Sequence, residues 1–255
     1  MESRYHHVTG LVLKHYALGE NDRRVYILTP DLGKIAAKAR GAKKLTSPFT
    51  SRLSPLNVCN MLLYKTPGNS WTITQCQTEI TYRHLQANLT QSSIALGIVD
   101  IAYRCTEEGH PSQQVYNLTI EALRILDTLE SEPKSELLFA GYQLQIFEIL
   151  GVLPSFSSCI RCHKKIDIET LEGWHPLEIL CVTCLGQMNH LARDRFDTGY
   201  LKLLNFIKKH PLSEILTIKI SETQQKEINR ILQLFWNAQT FSVPKSLDVL
   251  ASLRA

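Results

Sequence analysis

Four of the seven cysteines stand in two close pairs. Cys159 and Cys162 form one C-x-x-C pair, and Cys181 and Cys184 form the second after eighteen intervening residues. The spacing within each pair places both thiolates on one side of a tight turn, and two such turns can surround Zn²⁺ with Zn–S distances of about 2.3 Å. Because four protein ligands leave no open position for water, we expect one structural zinc ion and no catalytic metal.

Other interpretations of the cysteines stay open, including a redox or disulfide role. The segment Met1 to His7 lacks the apolar core of a signal peptide. We therefore expect a reducing compartment, where paired cysteines are metal ligands more often than disulfides. His163 and His175 are near enough in sequence to replace a cysteine as ligand.

Three single cysteines among apolar residues are expected to be buried small hydrophobes. These are Cys59, Cys76 and Cys105.

A second group of functional side chains is the cationic stretch from Lys34 to Arg52, which contains no acidic residue. Its centre, residues 40–47, reads Arg-Gly-Ala-Lys-Lys-Leu-Thr-Ser. Lysine and arginine side chains bind DNA phosphates by displacing counterions, and they do so without reading the base sequence. We therefore predict a DNA-binding surface formed by this stretch and by two arginines that precede it. The predicted residues are Arg23, Arg24, Lys34, Lys38, Arg40, Lys43, Lys44 and Arg52.

The distribution of charge supports a polyanionic partner. Residues 1–82 carry 11 basic and 5 acidic side chains, whereas residues 83–255 carry 17 basic and 19 acidic ones. Such asymmetry is typical of nucleic-acid binding, although a solvated basic face without a partner explains it as well. Nearby aromatic residues either stack on bases or pack in the core. These are Tyr26, Phe49, Tyr64 and Trp71.

The elements that must position these groups change character near Tyr82. Before it, short apolar and β-branched runs separated by turn signals predict a small sandwich or barrel. The predicted strands cover residues 8–15, 25–29, 34–39, 56–64 and 71–80. After it, apolar residues recur at helical spacing. The predicted helices lie near residues 115–129, 135–150 and 198–209, and Ser135 is the predicted N-cap of the second one. A fourth helix is predicted after a capping box formed by Ser221 and Gln224.

Composition and missing motifs narrow the function. A chain of 255 residues with 44% hydrophobic and 20% charged residues can bury a core, which excludes a disordered tail. No apolar stretch reaches the ~18 residues of a membrane helix. No glycine-rich phosphate loop or hydrolase signature occurs, so we expect a protein that is not an enzyme. Two alternatives stay open: a nuclease using Asp22 and Asp31, or a zinc-dependent protein-interaction adaptor.

Several segments resemble the RecO family of bacterial DNA-repair mediators. They include Thr9 to Leu13, residues 40–44, Gly151 to Pro154 ahead of the first cysteine pair, and Val243 to Leu247. The order of the strand-rich basic segment, helices, cysteine pairs and terminal segment carries the resemblance. One departure is His163, which follows the first cysteine pair where the family often has glycine. Another is residues 174–180, which lack the glycines that often precede the second pair.

The resemblance implies an α+β multidomain protein. An N-terminal OB-fold β-barrel would cover residues 1–82, and an α-helical domain would cover residues 83–255 with an inserted four-cysteine zinc module at about 155–190. The implied function is binding of single- and double-stranded DNA, annealing of complementary strands without ATP, and help in loading recombinase onto single strands. The implied partners are RecR and single-stranded DNA-binding protein. The implied location is the bacterial cytoplasm, in association with the nucleoid.

Overall fold

The computed structural model describes residues 3–167, 171, 174–187 and 196–239. The segment Val243 to Leu247 and parts of the predicted zinc module lie outside these residues. The described chain forms two compact units, residues 3–135 and residues 136–239. The predicted domain boundary at residue 82, where strands give way to helices, stays a prediction.

Five strands form a closed barrel in the first unit. They are β1 (Tyr5–Leu18), β2 (Asp22–Thr29), β3 (Gly33–Ala39), β4 (Val58–Lys65) and β5 (Trp71–Ile80). Their order around the barrel is β1-β2-β3-β5-β4, with β4 pairing back to β1. Strands β3 and β5 pair in parallel, whereas the other neighbours pair antiparallel. A closed five-stranded barrel with this order is OB-like, which confirms the predicted fold class.

Alternation along the strands separates the core from the outer surface. On β2, Val25 and Ile27 are buried in the barrel, whereas Arg24 and Tyr26 point outward. The register carries this division to the neighbouring strands, because Arg24 lies opposite Tyr16 of β1 and Lys38 of β3. Cationic and aromatic side chains of three strands therefore share one outer face.

Gly33 ends the turn that precedes β3, at a position that only glycine fits. Its φ is +68°, and a Cβ atom there would lie 2.1 Å from the carbonyl oxygen of His110. The segment is held in place because the Gly109 N–H donates to the carbonyl oxygen of Lys34 at 2.9 Å. The barrel is therefore tied to the connection between the two long helices of the same unit.

Four helices complete the first unit: α1 (Phe49–Arg52), α2 (Arg83–Ala87), α3 (Leu89–Arg104) and α4 (Gln113–Thr128). Helix α3 begins at Asn88, whose side chain accepts a hydrogen bond from the Gln91 N–H. Among the described residues, no helix is both long and apolar enough to cross a membrane.

The second unit is helical. Its elements are the greater part of α5 (Glu132–Ile149), then α6 (Val182–Gly186), α7 (Thr198–Lys209), α8 (Leu212–Ile215) and α9 (Glu222–Ala238). Phe147 of α5 packs against Phe235 and Trp236 of α9. The Trp236 indole N–H donates to Oε1 of Gln143 at 2.8 Å, so its buried polar atom is satisfied.

Helix boundaries test the predicted caps. The capping box at Ser221 and Gln224 is confirmed, because each side chain accepts from the other residue's backbone N–H. The predicted cap at Ser135 is wrong: helix α5 begins at Glu132, and the Ser135 hydroxyl donates to the carbonyl of Ser131 within the first turn. Pro133 permits the earlier start, because first-turn residues need no intrahelical N–H bond.

Candidate nucleic-acid interface and metal centre

The residues between β3 and α1 form a fixed loop at one end of the barrel. We call residues 40–47 the basic loop. Gly41 has a φ of +64°, and its N–H donates to a carboxylate oxygen of Asp22 at 2.8 Å. The Lys43 N–H donates to the carbonyl oxygen of Asn21 at 2.9 Å. Both bonds tie the basic loop to the turn between β1 and β2.

The far side of the basic loop is anchored by a threonine. The Thr50 hydroxyl lies 3.1 Å from the carbonyl oxygens of both Ala42 and Lys44. The Ala42 side chain is fully buried in the barrel core. These contacts fix the backbone while the side chains of Lys43 and Lys44 stay exposed to solvent.

Five of the eight predicted DNA-binding residues lie on one continuous surface. Strand register places Arg24 beside Lys38, and Lys38 pairs with Asp22, which in turn holds the basic loop. All five side chains are exposed or half-buried. They are Arg24, Lys38, Arg40, Lys43 and Lys44.

The other three predicted residues are placed differently. Lys34 is buried, with Nζ 2.6 Å from the carbonyl oxygen of Tyr103, so it supports the fold and is not offered to phosphates. Burial also lowers the pKa of Lys34. Arg23 donates to the carbonyl oxygen of Thr50 at 3.2 Å. Arg52 donates to that of Cys76 at 2.8 Å, beside β5.

A cluster of three tyrosines and one lysine extends the basic surface along β1 and β2. The ring of Tyr26 makes edge contacts with Tyr16 at 6.0 Å and with Tyr103 of α3 at 5.1 Å between centroids. The ammonium of Lys14 lies 5.3 Å from the ring centres of both Tyr16 and Tyr103. We call these four residues the tyrosine–lysine face. Cations beside partly exposed aromatic rings are typical of surfaces that bind single-stranded nucleic acid.

The phenol of Tyr103 carries no charge at neutral pH. Burial raises the pKa of Tyr103 to about 12, and the neighbouring Tyr26 and Tyr16 add to the rise. A neutral phenol adds no repulsion against phosphate.

The carboxylates named for a nuclease do not form a cluster. Asp22 is bound to Lys38 at 2.8 Å and to the Gly41 N–H, which lowers the pKa of its carboxyl. Asp31 lies exposed in the turn between β2 and β3. Across the described residues, the side chains that approach closely enough to hold a metal are the four paired cysteines.

The four cysteines of the second unit form a compact group. Sγ atoms of Cys159, Cys162, Cys181 and Cys184 all lie within 4.8 Å of one another, and those of Cys162 and Cys181 are 3.7 Å apart. Four sulfurs bound at 2.3 Å around a tetrahedral ion are separated by about 3.8 Å. The geometry of the group therefore fits a metal ion, and the alternative ligands His163 and His175 lie outside it.

Two different backbone turns present the cysteine pairs. The first pair lies on a hairpin turn that closes at His163, whose φ is +58° and whose N–H donates to the carbonyl of Cys159. The second pair begins α6, with Cys181 as its N-cap and Cys184 in its first turn. The Ile160 N–H donates to the carbonyl of Ile179 at 2.9 Å, which joins the two turns.

The backbone around the group favours thiolates. Burial alone raises the pKa of Cys159, but backbone N–H groups in both pairs, led by that of Cys181, outweigh burial and bring the pKa to about 6. Burial, followed by the neighbouring thiols, raises the pKa of Cys184 to about 12. Four thiolates at this separation repel one another, so a bound cation is what allows all of them to ionise.

An aromatic cluster lies in the same unit as the cysteine group. Trp174 packs between Phe156 and Phe196, with ring centroids 6.3 and 6.1 Å away, and its indole N–H donates to the carbonyl of Asp197 at 3.0 Å. The Lys208 ammonium of α7 lies 5.4 Å from the ring centre of Phe156. The residues that flank the two cysteine turns are thus packed against α7 of the same unit.

Two family models match the chain. One is described as the N-terminal part of recombination protein O and covers residues 1–82, and the other is described as its C-terminal part and covers residues 86–248. The chain belongs to the recombination protein O family. This confirms the family expected from the sequence.

Relatives within the recombination protein O family are distant but of full length. "DNA repair protein RecO" of Thermoanaerobacter sp. (strain X514) is 23% identical, over 96% of this chain and 96% of its own length. The protein of the same name from Dehalococcoides mccartyi (strain ATCC BAA-2100) is 26% identical, over 96% of this chain and 94% of its own. The protein of the same name from Acetivibrio thermocellus is 23% identical, over 98% of this chain and 97% of its own length.

In this RecO family member, the sequence analysis did not identify three residues of the tyrosine–lysine face, which are Lys14, Tyr16 and Tyr103. Lys14 and Tyr16 are two residues apart on β1 and so share a face, a signal that was present in the sequence. Tyr103 belongs to a helix far along the chain and has no local signal. Of the four aromatic residues expected to stack or pack, Tyr26 joins the tyrosine–lysine face. Phe49 and Trp71 pack against the barrel core, and Tyr64 lies beside Tyr5.

The three single cysteines largely follow their expected placement. Cys59 and Cys76 are buried in the barrel core. Cys105, at the end of α3, is half-buried. Burial raises the pKa of the Cys105 thiol to about 12, which keeps it protonated and unreactive at neutral pH.

Proposed function

We propose that this RecO family member is a DNA repair and recombination mediator, not an enzyme. It binds single- and double-stranded DNA, anneals complementary strands without ATP, and helps to load recombinase onto single-stranded DNA. The observation that carries the proposal is the continuity of the basic loop, Arg24 and Lys38 with the tyrosine–lysine face.

Each part of this surface supports a different component of DNA binding. The exposed lysines and arginines neutralise phosphates, a contribution that is independent of base sequence and sensitive to salt. Tyr16 and Tyr26 offer rings on which unpaired bases stack. A single strand has both phosphates and accessible base faces, so it uses the whole surface, whereas a duplex uses the cations alone.

Annealing follows from holding two strands against one cationic surface. Two single strands repel each other through their phosphates, and cations between or beside them reduce that repulsion. Raising the local concentration of both strands increases their encounter rate. Base pairing then supplies the sequence specificity, so neither nucleotide hydrolysis nor a catalytic side chain is required.

The cysteine group has a structural part in this proposal. One Zn²⁺ ion held by Cys159, Cys162, Cys181 and Cys184 would cross-link two turns that no disulfide joins. We propose RecR and single-stranded DNA-binding protein as partners, in keeping with the family. The proposed location is the bacterial cytoplasm, where the protein associates with the nucleoid.

The experiment is annealing of two complementary oligonucleotides without ATP, with and without single-stranded DNA-binding protein. The test variant is Lys43→Glu/Lys44→Glu in the basic loop. The matched control is Lys219→Glu/Lys226→Glu, which makes the same charge change at exposed lysines of the second unit. Wild type and control should accelerate annealing under both conditions, and the test variant should do so at least about tenfold less.

Three outcomes would contradict the proposal. Acceleration that is equal in both charge variants would place annealing elsewhere on the protein. Absence of DNA binding at low salt would favour the adaptor alternative. Strand cleavage by the pure protein in magnesium would favour a nuclease.

A further inference from the structure

Among the described residues, the large apolar side chain of the first unit that is most exposed lies in the basic loop. Leu45 is 99% exposed, compared with 71% for Leu89 and 47% for Leu96. Single exposed leucines are common on protein surfaces and need no special explanation. Two features distinguish Leu45: it lies in a turn whose backbone is fixed by hydrogen bonds, and its neighbours in the sequence are positively charged.

Leu45 occupies the tip of a hydrogen-bonded turn. The Ser47 N–H donates to the carbonyl of Lys44 at 2.9 Å, which leaves Leu45 and Thr46 as the two central residues. The Thr50 hydroxyl contacts the carbonyls of Ala42 and Lys44, so the base of the turn is fixed to the barrel. The leucine therefore projects from an anchored backbone.

The surroundings of Leu45 indicate what it meets. Lys43 and Lys44 precede it, and the stretch from Lys34 to Arg52 contains no acidic residue. A protein partner binds through a wider apolar patch, and a membrane surface needs several apolar residues together. A single apolar side chain next to two lysines is similar in chemistry to DNA, where charged phosphates lie beside an apolar stack of bases. Proteins that bind the minor groove of duplex DNA insert apolar side chains, leucine among them, between base steps.

We propose that Leu45 inserts between two adjacent bases of the bound single strand, while Lys43 and Lys44 contact the phosphates on that strand. The proposal rests on the DNA-binding function proposed above. Insertion opens one base step and holds the strand in an unstacked form, in which its bases are free to pair with a second strand. Leu45 would thus contact the bases, whereas the lysines of the same loop contact only the phosphates and do not distinguish one base from another.

The test uses oligonucleotides with 2-aminopurine, a base whose fluorescence rises when it is unstacked, placed at successive positions. The Leu45→Ala and Leu45→Ser variants remove the apolar side chain, and Leu45→Met keeps an apolar side chain of similar size. Leu89→Ala is the matched control, because Leu89 is exposed but has no lysine or arginine within five residues.

Wild type, Leu45→Met and Leu89→Ala should raise the fluorescence at one or two neighbouring positions. Leu45→Ala and Leu45→Ser should lose this local rise and bind about three- to tenfold more weakly. The slope of log K against log salt should be unchanged in all variants, because no phosphate contact is removed. This pattern separates a base contact from a charge contact.

Several results would overturn the inference. One is an identical fluorescence profile for wild type and Leu45→Ala. A second is loss of binding to vesicles of phosphatidylserine and phosphatidylcholine in Leu45→Ala with an unaltered DNA profile, which would make Leu45 a lipid contact. DNA binding without any local rise for wild type would reject insertion alone, whereas no DNA binding by wild type would reject the proposed function as well.

Discussion

The carboxylate of Asp22 accepts a hydrogen bond from the backbone N–H of Gly41 at 2.8 Å. Asp22 is an acidic residue in contact with the predicted cationic surface, and its charge is balanced by Lys38 at 2.8 Å. The carboxylate of Asp22 therefore has two opposing effects: it weakens phosphate binding, and it orders the basic loop. The two roles can be separated by substitution.

We expect Asp22→Asn and Asp22→Ala to differ. Asparagine keeps an oxygen for the Gly41 N–H but loses the ion pair, so Lys38 is released and DNA binding should strengthen. The slope of log K against log salt should steepen by up to the amount expected for about one additional phosphate contact. Alanine also loses the hydrogen bond, so its urea midpoint should fall below that of Asp22→Asn. Equal midpoints and unchanged salt slopes in both variants would contradict this account of Asp22.

The contacts of Asp22 with Lys38 and Gly41 also predict that the stability of the protein depends on pH. The hydrogen bond from Lys38 and that from the Gly41 N–H lower the pKa of Asp22 from its ordinary value of 3.8. The stabilisation is therefore fully present above the unfolded pKa and is lost as the pH falls through the lower folded pKa. Wild type should lose more stability than Asp22→Asn below about pH 4, measured by urea unfolding across acid pH.

Tyr16→Ala and Tyr26→Ala should weaken binding to single-stranded DNA. Stacking contributes about 1–3 kcal/mol per base, so each change should reduce affinity by about fivefold or more with little effect on duplex binding. Tyr16→Phe should bind like wild type, because the ring is kept. Tyr5→Ala is the control, since Tyr5 is exposed on the opposite end of β1. A loss in Tyr5→Ala equal to that in Tyr16→Ala would reject stacking at this face.

Protein purified without chelators should contain one zinc ion per chain. Cys159→Ser or Cys181→Ser should lower the zinc content and the yield of soluble protein, because metal binding is coupled to folding. Cys105→Ser should retain the metal, since this cysteine lies outside the group. Bound zinc should fall as the pH is lowered, because protons compete for the thiolates. Metal analysis that finds no zinc would contradict the assignment.

His163→Gly should stabilise the protein. His163 has a φ of +58°, a left-handed conformation that costs a residue with a Cβ atom about 1 kcal/mol and that glycine adopts freely. Urea unfolding should therefore show a gain of up to about 1 kcal/mol with unchanged metal content. His163→Ala should show no such gain, and a stability of His163→Gly below that of His163→Ala would contradict the explanation.

His163 also shows why a departure from a family pattern need not change a fold. The sequence places histidine where the family often has glycine, and the structure gives it the backbone conformation that glycine would take. Histidine tolerates this region better than most side chains. The C-x-x-C spacing is local, so the grouping of four cysteines was predictable from the sequence, whereas the conformation of the intervening turn was not.

Lys34 shows the limit of reasoning from charge. It lies in the same acid-free stretch as Lys43 and Lys44, and nothing nearby in sequence distinguishes it. Its partner is the carbonyl of Tyr103, 69 positions away, in a helix whose packing on the barrel no local pattern reveals. The strands were predictable because their alternation is local, but the division of the cations into buried and exposed required tertiary contacts.

The most direct test of the proposed DNA-binding surface is the salt dependence of binding to a single-stranded oligonucleotide. Wild type is compared with Lys43→Met/Lys44→Met and with Lys34→Met, which removes a buried lysine of the same stretch. The account predicts that the double variant shallows the slope of log K against log salt by about 1.4, close to 0.7 per phosphate contact, while Lys34→Met leaves it unchanged. An unchanged slope in the double variant, or an equal loss in Lys34→Met, would contradict it.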